Sequence, residues 1–145
     1  MTDVSSVVRV ASPDEALAIR RILDAAMLEF APLPARIAAG DVFVAVRASN
    51  GGSNGETTTV GGVLGALVVT WSADVASIDA LAVRRVHRGR GIGTDLVAAA
   101  VDHAHEQGAA EIRARFDASL ESFYRAREFE IVERDGDRSV GRRLL

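Results

Sequence analysis

Residues 81–94 read Leu-Ala-Val-Arg-Arg-Val-His-Arg-Gly-Arg-Gly-Ile-Gly-Thr, an apolar segment that runs into a glycine–arginine turn and then a helical pattern. Backbone N–H groups at a helix start lack intrahelical partners and carry partial positive charge, so such a turn suits a phosphate. Glycines let the chain approach the anion without a Cβ, and Arg88 and Arg90 add charge-assisted donors. Two common phosphate patterns fail here. For G-x-G-x-x-G, after Gly89 and Gly91 the third glycine would fall on Thr94, and Gly93 comes one position early. A P-loop needs a lysine, and all 17 basic residues of this chain are arginine. The spacing that fits is arginine, two residues, glycine, one residue, glycine. Arg88, Gly91 and Gly93 fill it, with Gly89, Arg90 and Ile92 between them and Thr94 next.

Composition narrows the chemistry further. The 145 residues suffice for one domain with its own core. The absence of cysteine removes disulfides, thiolate metal sites and a cysteine nucleophile, and the absence of lysine removes a Schiff base. His103 and His105 point in different directions on a helix and His87 is distant in sequence, so no metal site is expected. His103 falls on an apolar helix face with Ile92, Leu96 and Ala100 and reads as a core histidine. A net charge of −3 argues against general nucleic-acid binding. Arg84, Arg85, Arg88 and Arg90 form a candidate basic patch, but no aromatic platform accompanies them. No apolar run reaches the ~18–20 residues of a membrane span; the longest, 60–71, is broken by Gly61, Gly62 and Gly65. The N-terminal MTDVSSVV lacks the basic and apolar regions of a secretory signal, so the expected location is the cytoplasm.

The elements that must position the turn can be read from periodicity. Residues 7–11 form a short strand candidate. Ser12, Pro13 and Glu15 then carry the signature of a helix start, a capping box with proline in the first turn. Ile19, Ile22, Leu23 and Ala26 recur at helical spacing. Pro32 and Pro34 interrupt that helix and introduce a short second one over about 35–39. Strands are expected over 41–48, 59–71 and 75–84, with a flexible polar loop over 49–58 and hairpin pairing of the last two strands. A helix over about 91–107 stops at Gly108. A strand over 111–116, a helix over 119–127 and strands over 130–133 and 139–144 complete an α+β pattern, with helices on both faces of one sheet.

With Leu81, Ala82 and Val83 before it, the turn at 88–93 resembles the acetyl-CoA pyrophosphate loop of GNAT acetyltransferases. A second segment strengthens the resemblance: Asp117-Ala118-Ser119-Leu120-Glu121-Ser122-Phe123-Tyr124, closed by Phe129, is similar to that family's N-x-x-A-x-x-F-Y segment. The element order matches from Val7 to Leu144. Three positions depart from the pattern: Asp117 replaces asparagine, Leu120 alanine, and Glu128 the glycine before Phe129. Glycine there normally supplies φ > 0, so Glu128 implies a different turn after the helix.

The resemblance implies a single N-acetyltransferase domain over 1–145, an α/β sandwich with a mixed central sheet of about six to seven strands. It implies acetyl-CoA as co-substrate without a metal, a small-molecule or peptide amine as acceptor, no nucleic acid or membrane partner, and a fold on which homodimers are common. The strand backbone at Leu81, Ala82 and Val83 would pair with pantetheine amides. Arg88, Gly89, Arg90, Gly91, Ile92, Gly93 and Thr94 would hold the pyrophosphate, with Asp117 also beside the cofactor. Tyr124 would protonate the leaving thiolate, and backbone near Leu81 would support the oxyanion. The acceptor amine needs a base, since the neutral form of a lysine-like amine costs roughly 4–5 kcal/mol at pH 7. Asp79 is the candidate, because strand alternation places Ser77, Asp79, Leu81 and Val83 on one side. Glu29 could line the acceptor entrance, although a plain surface glutamate accounts for it as well. Two other functions stay open at this level: a non-catalytic acyl-CoA sensor on the same fold, and an arginine-patch nucleic-acid module.

Overall fold

The structure is a computed structural model that describes residues 6–25, 33–47, 62–84 and 91–145. Seven strands form one sheet in the order β1-β2-β3-β4-β5-β7-β6. They are β1 (Ser6–Val10), β2 (Val42–Arg47), β3 (Val63–Ser72), β4 (Val75–Val83), β5 (Glu111–Asp117), β6 (Glu130–Asp135) and β7 (Arg138–Leu144). The β4–β5 pair is parallel, and every other neighbouring pair is antiparallel. A parallel pair needs a crossover, and α3 (Ile92–Glu106) supplies it. The other helices are α1 (Ala16–Ala25), α2 (Leu33–Ala38) and α4 (Glu121–Arg125).

The expected sandwich forms because the central strands are apolar on both faces. In β2, Val42, Val44 and Val46 pack with α1 and α2 through Ile19, Leu23, Leu33 and Ile37. Phe43 and Ala45 of the same strand pack on the opposite face with α3. From α3, Ile92, Leu96, Val97, Ala100, Val101 and Ala104 are buried, at roughly 1.5–3 kcal/mol for each large aliphatic side chain. His103 stands half-buried and edge-on between Phe43 (5.3 Å) and Trp71 (5.7 Å), the core position its spacing indicated. The edge strand β6 carries Glu130, Glu133, Arg134 and Asp135, charges that discourage edge-to-edge association. No helix among the described residues is long and apolar enough to cross a membrane.

Local details differ from the sequence expectation at three places. The start at Ser12 opens a three-residue 3-10 turn, Pro13–Glu15, before α1, with Glu15 accepting from the Ser12 N–H (2.8 Å) and pairing with Arg9. The second helix begins at Leu33, so Pro34 lies inside its first turn, where a missing N–H costs no helical bond. The helix expected over 119–127 splits into a 3-10 turn, Ala118–Leu120, and the five-residue α4.

The seat of α3 on the sheet depends on Gly65 in β3. A Cβ there would meet the Ala82 carbonyl oxygen at 3.1 Å, Leu96 Cδ1 at 3.1 Å and Ile92 Cγ2 at 3.2 Å. The first turn of α3 therefore rests almost directly on strand backbone. Gly65→Ala should destabilise the protein by about 1–3 kcal/mol through overpacking, read as a lowered urea midpoint with an unchanged slope.

Candidate active site

Strands β4 and β5 pair only over Val75–Ile78 with Glu111–Ala114. Beyond that point β4 continues to Val83 and β5 to Asp117, and neither has the other as a ladder partner. The sheet forks. The cause lies in β4, where Val69 opposes Ile78 and Val68 opposes Ala80, leaving Asp79 as an extra residue. Such a bulge bends its strand and increases the local twist, which carries β4 away from β5. The closed end of the fork is secured by Ala110 N–H donating to the Asp74 carbonyl (2.8 Å).

The bulge also corrects the expected alternation. Ala76 and Ile78 face the α3 core, whereas Ala80 and Ala82 face the α1–α2 core. Leu81 and Val83 therefore return to the α3 side, and Ser77, two residues before the bulge, lies on the opposite face from them. Asp79 is the exposed residue at the switch, at the mouth of the fork.

The start of α3 lies next to this opening. Gly91 occupies its N-cap with φ 80° and ψ 5° and contributes no side-chain cap. That conformation favours glycine, and an added Cβ would meet nothing within 4 Å. The first N–H groups of α3, those of Ile92, Gly93 and Thr94, stand at the positive end of the helix dipole with no side-chain cap from Gly91. Arg88, Gly89 and Arg90 lie outside the described residues, as does Glu29. Gly93 lets α3 approach α4, since a Cβ there would touch Phe123 Cζ at 3.4 Å.

Tyr124 of α4 is 2% exposed. Its ring stacks on Phe116 (4.0 Å, 15°) and meets Phe123 and Phe129 edge-on at 5.1 and 5.3 Å. Gly141 leaves room for this stack, because a Cβ there would lie 3.2 Å from Phe116. Burial pushes the phenol well above its ordinary pKa, so the group is neutral at physiological pH. Leu81 and Val83 pack against the same core as Tyr124. The structure thus joins Tyr124, Leu81, Val83 and the α3 start on one side of the sheet, with Asp79 at the fork itself. Asp117 caps the 3-10 turn through Ser119 N–H (2.9 Å), an interaction that lowers its pKa.

A five-residue helix has little stability of its own, and α4 is clamped at both ends. Glu121 accepts two bonds from Arg134 (3.0 Å each) and one from the Ser139 hydroxyl, which hold its pKa at about 2. Arg127, just past the helix, donates through Nε (3.2 Å) and Nη2 (2.6 Å) to Thr94 Oγ1 and through Nη1 (2.8 Å) to the Phe123 carbonyl. Its guanidinium also lies 4.3 Å from the Phe123 ring centroid. Sequence reasoning missed this contact, since nothing local links residues 33 positions apart. The turn after α4 is the second correction. Glu128 adopts φ 69°, the left-handed conformation that glycine would supply. Arg143 holds it there by pairing with its carboxylate (3.0 Å) and donating to the Arg127 carbonyl (3.1 Å).

Among the described residues no cluster of histidine, aspartate or glutamate could hold a metal ion. The family profile described as "Acetyltransferase (GNAT) family" matches residues 22–129. No curated protein sequence matches the chain. Solved structures do. Ard1 from Thermoplasma volcanium superposes with a TM-score of 0.74 at 19% identity, covering 97% of each chain. Rv2747 from Mycobacterium tuberculosis, in complex with CoA and NLQ, gives 0.73 at 17% identity, covering 96% of this chain and 99% of that one. N-acetylglutamate synthase from Neisseria gonorrhoeae, complexed with coenzyme A and L-arginine, gives 0.76 at 17% identity, covering 99% of this chain and 34% of that one. The chain belongs to the GNAT acetyltransferase family, and by class it is an acyltransferase.

Two variants test the site geometry. Gly91→Glu should abolish acetyl-CoA binding in a calorimetric titration, beyond the backbone strain it shares with Gly91→Ala; unchanged affinity would remove the α3 start as the phosphate site. Glu128→Gly should stabilise the fold by about 0.5–1 kcal/mol in urea titrations, since relief of left-handed strain outweighs loss of an exposed ion pair.

Proposed function

We propose that the protein moves an acetyl group from acetyl-CoA to a primary amine of a small molecule or peptide by direct attack. The observation that carries this reading is the fork between β4 and β5, which opens onto the uncapped start of α3 with Tyr124 packed alongside. The β4 edge at Leu81 lies past the end of the β4–β5 ladder, which suits an amide-bearing ligand such as pantetheine there. The N–H groups of Gly91 to Thr94, joined by Arg88 and Arg90, suit the pyrophosphate.

When bound, acetyl-CoA supplies an activated thioester carbonyl. Asp79 takes a proton from the acceptor ammonium, directly or through a water. The amine nitrogen then bonds to the carbonyl carbon, and a backbone N–H near Leu81 stabilises the charge on oxygen. As the carbon–sulfur bond breaks, Tyr124 gives its proton to the departing sulfur. The nitrogen gives up its second proton, through water, to the Tyr124 phenolate, which restores the phenol, and Asp79 releases its own proton to solvent.

A thermal-shift titration with acetyl-CoA tests the cofactor, with NAD and ATP as controls. Ligand at ~100 times its dissociation constant should stabilise the fold by about 2.7 kcal/mol. A shift with acetyl-CoA alone is expected; no shift at millimolar concentration would overturn the reading. In a thiol-release assay over a panel of amines, Tyr124→Phe should lower kcat by about 100-fold or more while acetyl-CoA affinity stays within twofold. Full activity would remove Tyr124 as the acid.

A further inference from the structure

We propose that Arg127 is a positioning residue for the phosphate site, one that orients the Thr94 hydroxyl proton away from itself and adds its own charge beside the α3 start. The inference rests on the acetyl-CoA reading and extends it to a residue outside the glycine turn.

Two observations carry it. The first is hydrogen-bond bookkeeping at Thr94. Arg127 Nε and Nη2 converge from one side on Thr94 Oγ1, at 3.2 and 2.6 Å, so the hydroxyl oxygen accepts from the guanidinium. Its proton must therefore point away from the guanidinium, and no acceptor among the described residues takes it. Thr94 is the third residue of α3, so that proton belongs to the same turn as the open N–H groups. The second observation is electrostatic. A cation is favourable at a helix C-terminus and unfavourable at an N-terminus, yet the half-buried Arg127 guanidinium is held against the N-terminal turn of α3. Among the described residues no carboxylate lies within ion-pair distance of it. Its hold comes instead from Thr94, the Phe123 carbonyl and the Phe123 ring. Of its five N–H groups three are used, leaving two. The first turn also carries the exposed Asp95; against it stand the helix dipole, the guanidinium and the hydroxyl proton, the groups a diphosphate would meet.

The test compares Arg127→Leu, Arg127→Lys and Thr94→Val with the wild type, each checked for folding by circular dichroism. CoA affinity is measured by calorimetry, and inorganic pyrophosphate serves as a second probe in thermal shift against ionic-strength-matched sodium chloride. Arg127→Leu should weaken CoA by about 10- to 100-fold, the range expected for charge-assisted bonds, and should abolish the pyrophosphate shift. Arg127→Lys should recover part of the affinity and restore its salt dependence. Combining Arg127→Leu with Thr94→Val should cost less than the sum of the two, because both break one unit. CoA affinity within twofold of wild type in Arg127→Leu would overturn the proposal, as would strict additivity in the double variant. If Arg127→Leu does not fold, unchanged CoA affinity in both Arg127→Lys and Thr94→Val overturns it equally. Failure of the wild type itself to bind CoA would sink the cofactor reading instead.

Discussion

Strand β4 cannot keep both neighbours along its whole length, and the arrangement of this molecule follows from that constraint. Asp79 is one residue more than the β3 ladder can accommodate. The strand absorbs it by bending, keeps its pairing with β3, and gives up its pairing with β5. Seven strands that could have closed into a continuous sheet instead contain a cleft, and every candidate group is placed relative to it. The polypeptide leaves β4 at the open end of that cleft, so the α3 start is delivered beside it by connectivity alone. Ligand sites outside the carboxyl ends of parallel strands follow the same geometric logic.

Helix α4 shows how much can be asked of a very short element. Its residues and those that follow point in three directions with three purposes. Glu121 reaches to Arg134 and Ser139 and fixes the helix to the β6–β7 hairpin. Tyr124 enters the aromatic stack between Phe116 and Phe129. Phe123 and Arg127 turn toward α3, one filling the space Gly93 leaves and the other holding Thr94. Apart from Tyr124–Phe129 these contacts reach well beyond the helix, so it owes its existence to its surroundings rather than to propensity.

The division between what could and could not be read from the sequence follows the range of the interaction. The glycine turn, the amphipathic α3 and the two-faced β2 and β3 announce themselves within a few residues, and the sandwich architecture follows from them. The bulge at Asp79 does not, because it is defined by the mismatch between two strands; strict alternation therefore put Ser77 on the wrong face relative to Leu81. Glu128 misleads for a related reason. Its side chain argues against a left-handed turn, yet the chain takes that turn, with Arg143, fifteen residues on, paired to the carboxylate. Arg127 carries no signal in the chain at all until Thr94 is placed next to it.

Mechanically, the sheet is two plates joined by a short seam. The plate of β1 to β4 and the plate of β5, β7 and β6 share a ladder only four residue pairs long. Such a seam resists sliding but yields to a scissoring motion that widens or narrows the cleft. The crossover α3 leaves one plate at the open end and rejoins the other at the closed end, acting as a diagonal brace. A ligand backbone laid along the cleft would extend the seam toward the open end. Occupancy would then register as stiffness of the whole sheet, and slowed amide exchange in β5 and β7 would report it far from the ligand itself.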